Sequence, residues 1–215
     1  MEKLIIFDLD GTLINSIEDL NISVNYSLKK NNYPLVTLEH TRKSIGNGVA
    51  MLMKRSLPND INEEDYKKAL NDFEKHYQIH KLDHTKPYDN MLETLKALKE
   101  KGFLLAVSTN KIEDAAKKII DKYFKGIFIT VCGDNNIRKK KPAPDSIIEI
   151  KRRINIDLKE IYYVGDSEVD YLTALNSNCT PIIVSYGYRT KEELLSKIPS
   201  STKIIDNCLE LTKIF

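Results

Sequence analysis

Two aspartates stand one residue apart at the end of a short apolar segment near the beginning of the sequence. Residues 4–7 are all apolar, and Asp8, Asp10 and Gly11 follow in the stretch DLDGT. Such a run predicts a strand buried on both faces, and side chains two residues apart on a strand start on the same side. Gly11 allows the sharp turn that two crowded acids require. A solvated strand end would carry the same residues, because Asp and Gly are common in turns.

Polar side chains also follow three later apolar segments. They are Ser108, Thr109 and Asn110 after 103–107, Lys141 after 127–131, and Asp166, Ser167 and Asp170 after 161–164. In an open parallel sheet, ligands bind at the carboxyl ends of the strands. We therefore expect these side chains to converge with Asp8 and Asp10 at one edge of a sheet.

The converging residue types are those that phosphoryl transfer requires. Asp8, Asp10 and Asp166 offer hard oxygen ligands that suit Mg²⁺, whereas carboxylates clustered without a cation repel one another and take up protons. A bound ion would hold one phosphate oxygen, and the candidate donors to the others are Thr109, Asn110 and Lys141. Catalysis of phosphoryl transfer is mainly positioning and charge stabilisation, and a carboxylate can serve as the nucleophile.

Alternating elements are predicted to position these residues. Short apolar segments recur at 103–107, 127–131, 161–164 and 181–185, with a shorter one at 203–205. Helical spacing separates them over 111–123, over a segment from Met91 to Gly102, and around Ile147, Ile148 and Ile154. Strands that alternate with helices indicate an α/β fold, a Rossmann-like parallel sheet core flanked by helices.

Residues 14–84 break this alternation. They contain no comparable strand and predict several helices, for example over 17–30, 48–57 and 63–80. We therefore expect an all-helical domain inserted after the first strand. The expected boundaries give a core domain of 1–13 and 85–215 and a helical domain of 14–84.

Composition bounds the class of protein. The 215 residues include 33 Lys and Arg against 31 Asp and Glu, and this net charge of +2 favours neither nucleic acid nor membrane as a partner. The basic run 138–141 has no aromatic neighbours and is a weak nucleic-acid patch. Cys132, Cys179 and Cys208 form no CxxC pair, and no apolar run reaches the ~20 residues of a membrane span or suits a signal peptide. We expect a cytoplasmic protein, a monomer or homodimer.

Four motifs, taken in order, resemble those of the haloacid dehalogenase-like hydrolases and, within them, the phosphoglycolate phosphatases. DLDGT at 8–12 resembles the first motif, Thr109 in VSTNK the second, Lys141 in KPAP the third and GDSEVD at 165–170 the fourth. The resemblance covers essentially the whole chain. The helical segment 14–84 stands where that family carries its cap domain.

The resemblance implies a role for each matched residue. Asp8 would be the nucleophile, and Asp10 would protonate the leaving oxygen and then activate water. The phosphoryl group would be held by Thr109, Asn110 and Lys141, and Mg²⁺ by Asp8, the backbone carbonyl of Asp10, and Asp166. Ser167 and Asp170 would stand behind the metal ligands, and the alternative for Asp170 is that it simply caps the following helix. Ser108 is an alternative to Thr109, but counting back from Asn110 favours Thr109.

The substrate implied by the resemblance is a small phosphorylated metabolite, with 2-phosphoglycolate first. In that family a glycine-containing cap loop reads the leaving group, and SIGNGV at 44–49 resembles it. Gly46, Asn47 and Gly48 would offer backbone N–H groups, and Arg42 or Lys43 would pair with a carboxylate. A simple turn before a helix would have the same sequence.

Other functions use the same core residues. A pyrophosphatase, a nucleotidase or a sugar-phosphate phosphatase would differ only in the cap, and a mutase would release no phosphate. Phosphonatase chemistry would need a Schiff-base lysine, for which Lys43 and Lys54 are unmarked candidates. A non-catalytic phosphate-binding regulator is the alternative outside enzymology, although degenerate relatives usually lack an acid of the first motif and this chain keeps both.

Overall fold

The computed structural model describes residues 2–46 and 48–215; Asn47 of the expected cap loop lies outside the described residues. The strands are β1 Glu2–Phe7, β2 Ile14–Asn15, β3 Lys86–Pro87, β4 Phe103–Ile112, β5 Thr130–Asp134, β6 Leu158–Gly165, β7 Thr180–Val184 and β8 Lys203–Ile205. The helices are α1 Ile17–Lys30, α2 Leu38–Ser44, α3 Val49–Ser56, α4 Glu63–His80, α5 Met91–Glu100, α6 Glu113–Tyr123, α7 Asp145–Ile154, α8 Glu168–Asn176, α9 Lys191–Leu195 and α10 Leu211–Ile214. A 3₁₀ turn at Cys208–Glu210 precedes the last helix.

The main sheet has six strands in the order β5-β4-β1-β6-β7-β8, and every pair in it is parallel. β1 lies between β4 and β6, and its last residue Phe7 pairs with Val107 on one side and Val164 on the other. The residues that follow these three positions therefore emerge together at the carboxyl edge of the sheet. The predicted α/β fold with a parallel sheet is confirmed.

β1 owes its central place to its apolar residues. Leu4, Ile5, Ile6 and Phe7 are fully buried, as a strand covered on both faces requires. Burial of each such side chain stabilises the fold by about 1.5–3 kcal/mol. The strand that carries Asp8 and Asp10 is thus held in the middle of the sheet by its own composition.

Two predicted strands differ most in extent from the observed ones. β4 continues to Ile112 instead of ending at 107, with a register shift against β5 between Ser108 and Ile112. β5 begins at Thr130, so the prediction of a strand from residue 127 is wrong. Residues 127–129, which were predicted to begin this strand, lie instead in the turn before it. There the Phe128 ring contacts the rings of Phe7 and Phe124 edge-on. Pairing with β4 from Thr130 onward, rather than apolar character, fixes where β5 starts.

Asn15–Lys86 forms a compact unit of its own, and the residues up to Ile14 together with Pro87–Phe215 form the other. The helical unit contains α1 to α4, and the predicted helices 17–30 and 63–80 are confirmed to the residue. Its core is formed by Leu20, Val24, Leu28, Leu52, Met53, Leu57, Ala69, Phe73 and Tyr77. None of the helices in residues 2–46 and 48–215 combines the length and the apolar composition needed to cross a membrane.

Candidate active site

Three buried carboxylates meet at the carboxyl edge of the sheet. Asp8 directly follows β1, Asp166 directly follows β6, and Asp170 lies in the first turn of α8. One oxygen from each carboxylate lies within 4.8 Å of the others. The Asp8 backbone N–H donates to the carbonyl of Val164 at 2.9 Å, so the sheet's hydrogen bonding continues into the site. The acids predicted from separate motifs therefore come together.

Lys141 joins two of these acids. Its Nζ lies 2.8 Å from Asp8 Oδ1 and 2.7 Å from Asp170 Oδ1, and it also donates to the Tyr163 hydroxyl at 3.1 Å. Burial acts to lower the pKa of Lys141, but the charges of Asp170 and Asp8 raise that pKa well above its ordinary value. The ammonium therefore stays charged. Tyr163, which sequence reasoning gave no role, also donates to the carbonyl of Ser108.

The cluster holds more negative charge than Lys141 can balance. Burial raises the pKa of Asp8 to about 7, against the lowering effect of Lys141. Burial, together with the charges of Asp170 and Asp8, raises the pKa of Asp166 well above its ordinary value. These carboxylates must take up protons or accept a second cation. A set of buried oxygen ligands without thiolate or imidazole fits Mg²⁺.

Two glycines leave room for Asp166. A Cβ on Gly11 would lie 2.7 Å from Asp166 Cγ, and a Cβ on Gly187 would lie 2.7 Å from Asp166 Oδ2. Gly11 also has φ +89°, a conformation that other residues rarely adopt. Asp166 Oδ2 accepts a hydrogen bond of 2.7 Å from the Tyr188 backbone N–H. The turn at Gly11 within DLDGT and the segment after β7 thus enclose Asp166 from two sides.

Asp170 has partners for both of its oxygens. Oδ1 faces Lys141, while Oδ2 accepts hydrogen bonds from the Ser167 hydroxyl at 2.6 Å and from its backbone N–H at 3.2 Å. Ser167 and Asp170 form a capping box at the start of α8. Asp170 therefore both caps α8 and faces Lys141; the sequence had left capping as the alternative to a place behind the metal ligands.

The hydroxyl residues at the end of β4 have different surroundings. Ser108 is fully buried, and its hydroxyl forms a hydrogen bond of 2.8 Å with the hydroxyl of Ser146. Thr109 Oγ1 accepts from the Lys111 backbone N–H at 3.1 Å. This arrangement leaves Thr109 as the better candidate for a phosphoryl ligand.

Asn110 holds the backbone of Lys141. Its Oδ1 accepts from the Lys141 N–H at 2.8 Å, and its Nδ2 donates to the Lys141 carbonyl at 3.3 Å. The expectation was that the Asn110 amide would face the phosphoryl group. The amide fixes the loop that presents the lysine, and its donation to a phosphoryl group stays a prediction.

Asp10 is paired apart from the three-acid cluster. Lys111 Nζ lies 3.0 Å from both carboxylate oxygens of Asp10. Lys111 was not among the residues predicted from the sequence, although its place directly after Thr109 and Asn110 was a signal. Gly48 belongs to the helical unit, where it precedes α3 with φ +84°.

Known proteins are similar to this chain over nearly its whole length. Residues 5–184 match the haloacid dehalogenase-like hydrolase family. The phosphoglycolate phosphatase of Aquifex aeolicus (strain VF5) is 32% identical over 214 residues, covering 95% of this chain and 97% of the relative. That of Vibrio vulnificus (strain YJ016) is 34% identical over 206 residues, covering 92% of this chain and 90% of the relative.

Solved structures agree with this similarity. The crystal structure of a predicted phosphoglycolate phosphatase from Haemophilus somnus 129pt superposes with a TM-score of 0.89 at 31% identity, covering 99% of this chain and 97% of that one. A predicted phosphatase from Clostridium acetobutylicum superposes with a TM-score of 0.86 at 27% identity, covering 100% and 98%.

Asn110→Ala tests the hold on Lys141. The change removes two hydrogen bonds, each worth about 0.5–1.5 kcal/mol, and frees the loop that presents the ammonium. We expect about 1–3 kcal/mol lower stability in urea unfolding and about tenfold weaker binding of inorganic phosphate by calorimetry, the tenfold being equivalent to about 1.4 kcal/mol. Asn71→Ala, at an exposed position of α4, is the control. Unchanged phosphate binding in Asn110→Ala would show that Lys141 holds its place without the amide.

Proposed function

The chain belongs to the haloacid dehalogenase-like hydrolase family and is a phosphoric monoester hydrolase, and we propose that it acts on a small acidic phosphomonoester, 2-phosphoglycolate first, through a phosphoaspartate. The observation that carries the mechanism is the buried contact between Asp8 and Lys141 beside two further acids. It puts a carboxylate oxygen and a fixed positive charge together where a phosphoryl group can meet both. The substrate is proposed from the relatives named above.

In the first half-reaction an Asp8 carboxylate oxygen attacks phosphorus, and the bond from phosphorus to the ester oxygen breaks. The electron pair of that bond goes to the leaving oxygen, which takes its proton from Asp10. Lys141 stabilises the negative charge on the transferring group, because its ammonium is fixed by Asp170 before the substrate arrives. Thr109 donates its hydroxyl to another phosphoryl oxygen.

In the second half-reaction water attacks phosphorus of the phosphoaspartate and gives its proton to Asp10. The bond between phosphorus and the Asp8 oxygen breaks, and its electron pair restores the carboxylate. The products are inorganic phosphate and the free alcohol, and both acids return to their starting protonation. Asp10 thus moves one proton in each direction, which requires a carboxylate aimed at the same point in both steps.

The proposed ligands of Mg²⁺ are Asp8, Asp166 and the backbone carbonyl of Asp10. Asp170 is left outside this set, because its two oxygens already face Lys141 and Ser167. When bound, the ion would neutralise excess carboxylate charge and polarise a phosphoryl oxygen.

Substrate choice is proposed to lie with the helical unit Asn15–Lys86. The site residues of the other unit offer contacts for a phosphoryl group and a cation, and those contacts are the same for every phosphomonoester. Gly48 is the position proposed to let backbone N–H groups approach a substrate carboxylate.

Asp8→Asn tests the nucleophile. The amide keeps the shape of the side chain but cannot form the phosphoaspartate, so we expect phosphate release to fall at least about a thousandfold. Urea unfolding should give a stability no lower than that of the wild type, because a buried carboxylate with a raised pKa is removed. Asp157→Asn, at an exposed loop position, should keep full activity. Near-normal turnover in Asp8→Asn would refute the assignment.

Thermal unfolding with Mg²⁺ tests the proposed metal site. An ion at about 100 times its dissociation constant stabilises the fold by about 2.7 kcal/mol, equivalent to about 5–11 °C for a domain of this size. We expect this shift in the wild type and a much smaller one in Asp166→Asn, whose unfolding temperature without Mg²⁺ should be no lower. Excess EDTA should abolish phosphate release from the wild type. Equal shifts in both proteins would place the ion elsewhere.

Gly48→Val tests whether Gly48 contributes to substrate specificity. A branched side chain at positive φ would distort the backbone just before α3. We expect kcat/KM for phosphoglycolate to fall at least about tenfold more than that for p-nitrophenyl phosphate, an ester without a carboxylate. Gly102→Val is the matched control, since Gly102 has φ +86° and open space around it. Equal losses for both esters would mean that Gly48 only supports the fold.

A further inference from the structure

We propose that Lys111 is a positioning residue that aims the Asp10 carboxylate for proton transfer, an inference that rests on the proposed function. Its Nζ lies at the same distance, 3.0 Å, from Oδ1 and Oδ2 of Asp10. A cation on the midline of a carboxylate resists rotation of that group, because turning either oxygen away lengthens a charge-assisted hydrogen bond. The pair therefore fixes the plane in which Asp10 gives and takes its proton.

The ion pair is built into neighbouring strands. Asp10 follows β1 by three residues, and Lys111 is the penultimate residue of β4, the strand next to β1 in the sheet. The Lys111 side chain is only 8% exposed and that of Asp10 16%, so solvent screens their attraction weakly. The Lys111 backbone N–H is in turn fixed by Thr109 Oγ1.

Lys141 and Lys111 contact different acids of the site. Lys141 contacts Asp8 and Asp170, while Lys111 contacts Asp10. The proposed nucleophile and the proposed acid–base residue thus each have their own buried ammonium. A substitution of Lys111 should therefore impair proton transfer by Asp10 and leave the contacts with the phosphoryl group in place.

The rate loss caused by impaired proton transfer depends on the leaving group of the ester. The alkoxide released from phosphoglycolate needs a proton, whereas p-nitrophenolate leaves without one. Both esters form the same phosphoaspartate, whose hydrolysis requires Asp10 as a base. A variant with a misaimed Asp10 should therefore form the intermediate readily from p-nitrophenyl phosphate and then hydrolyse it slowly.

Lys111→Met is the test variant, with Lys111→Arg as the conservative replacement and Lys118→Met, exposed on α6, as the control. In Lys111→Met we expect kcat/KM to fall about a hundredfold for phosphoglycolate and less than about threefold for p-nitrophenyl phosphate. Rapid mixing with the second ester should show a burst of about one p-nitrophenolate per enzyme. Lys111→Arg should recover part of the loss, and Lys118→Met should match the wild type. Equal losses without a burst would overturn the inference.

A double variant separates this inference from the proposed function. If Lys111 acts through Asp10, adding Lys111→Met to Asp10→Asn should lower phosphoglycolate hydrolysis by no more than about twofold beyond Asp10→Asn alone. A multiplicative loss in an otherwise active enzyme would overturn the role of Lys111 and leave the proposed function standing. A wild type that releases phosphate from neither ester would overturn the proposed function and the inference together.

Discussion

The burial of Lys141 between Asp8 and Asp170 is the interaction on which the site depends. Taking three charges out of water is unfavourable unless each finds a partner at hydrogen-bond distance, and the 2.7 and 2.8 Å contacts meet that condition for the lysine and two of the acids. Asp166 remains in excess, held by a backbone N–H from Tyr188. The cluster therefore has more carboxylates than cationic partners, as the proposed binding of a divalent cation requires.

Residues at the end of β4 orient side chains and backbone of the site that belong to other segments. Beyond Ser108 the strand loses its regular pairing with β5 but continues as extended chain to Ile112. Successive side chains on an extended chain point in opposite directions, so Asn110 and Lys111 can serve different partners. Asn110 holds the Lys141 backbone and Lys111 holds the Asp10 carboxylate. One irregular strand end thus orients charged groups carried by two other segments.

The sequence alone could predict the parallel sheet, two helices to the residue, and the meeting of Asp8, Asp166 and Lys141 at one edge. Those features follow from apolar periodicity and from motifs that are local in the chain. It could not predict the start of β5, which is set by register against β4, nor the hydrogen bonds between the Asn110 amide and the Lys141 backbone. It also missed Lys111, because the position of this lysine after Thr109 and Asn110 does not show that its partner is Asp10, 101 positions earlier.

The charge of the carboxylate cluster also affects the stability of the fold. A carboxyl group whose folded pKa is raised, as that of Asp8 is to about 7, stabilises the fold only while it is protonated. That contribution is complete below the ordinary pKa and is lost as pH rises through about 7. Near neutral pH the cation-free cluster therefore opposes folding, and the fully buried strand β1 must compensate. A divalent cation bound to these carboxylates would remove this conflict, and the same excess negative charge would supply affinity for the proposed ion.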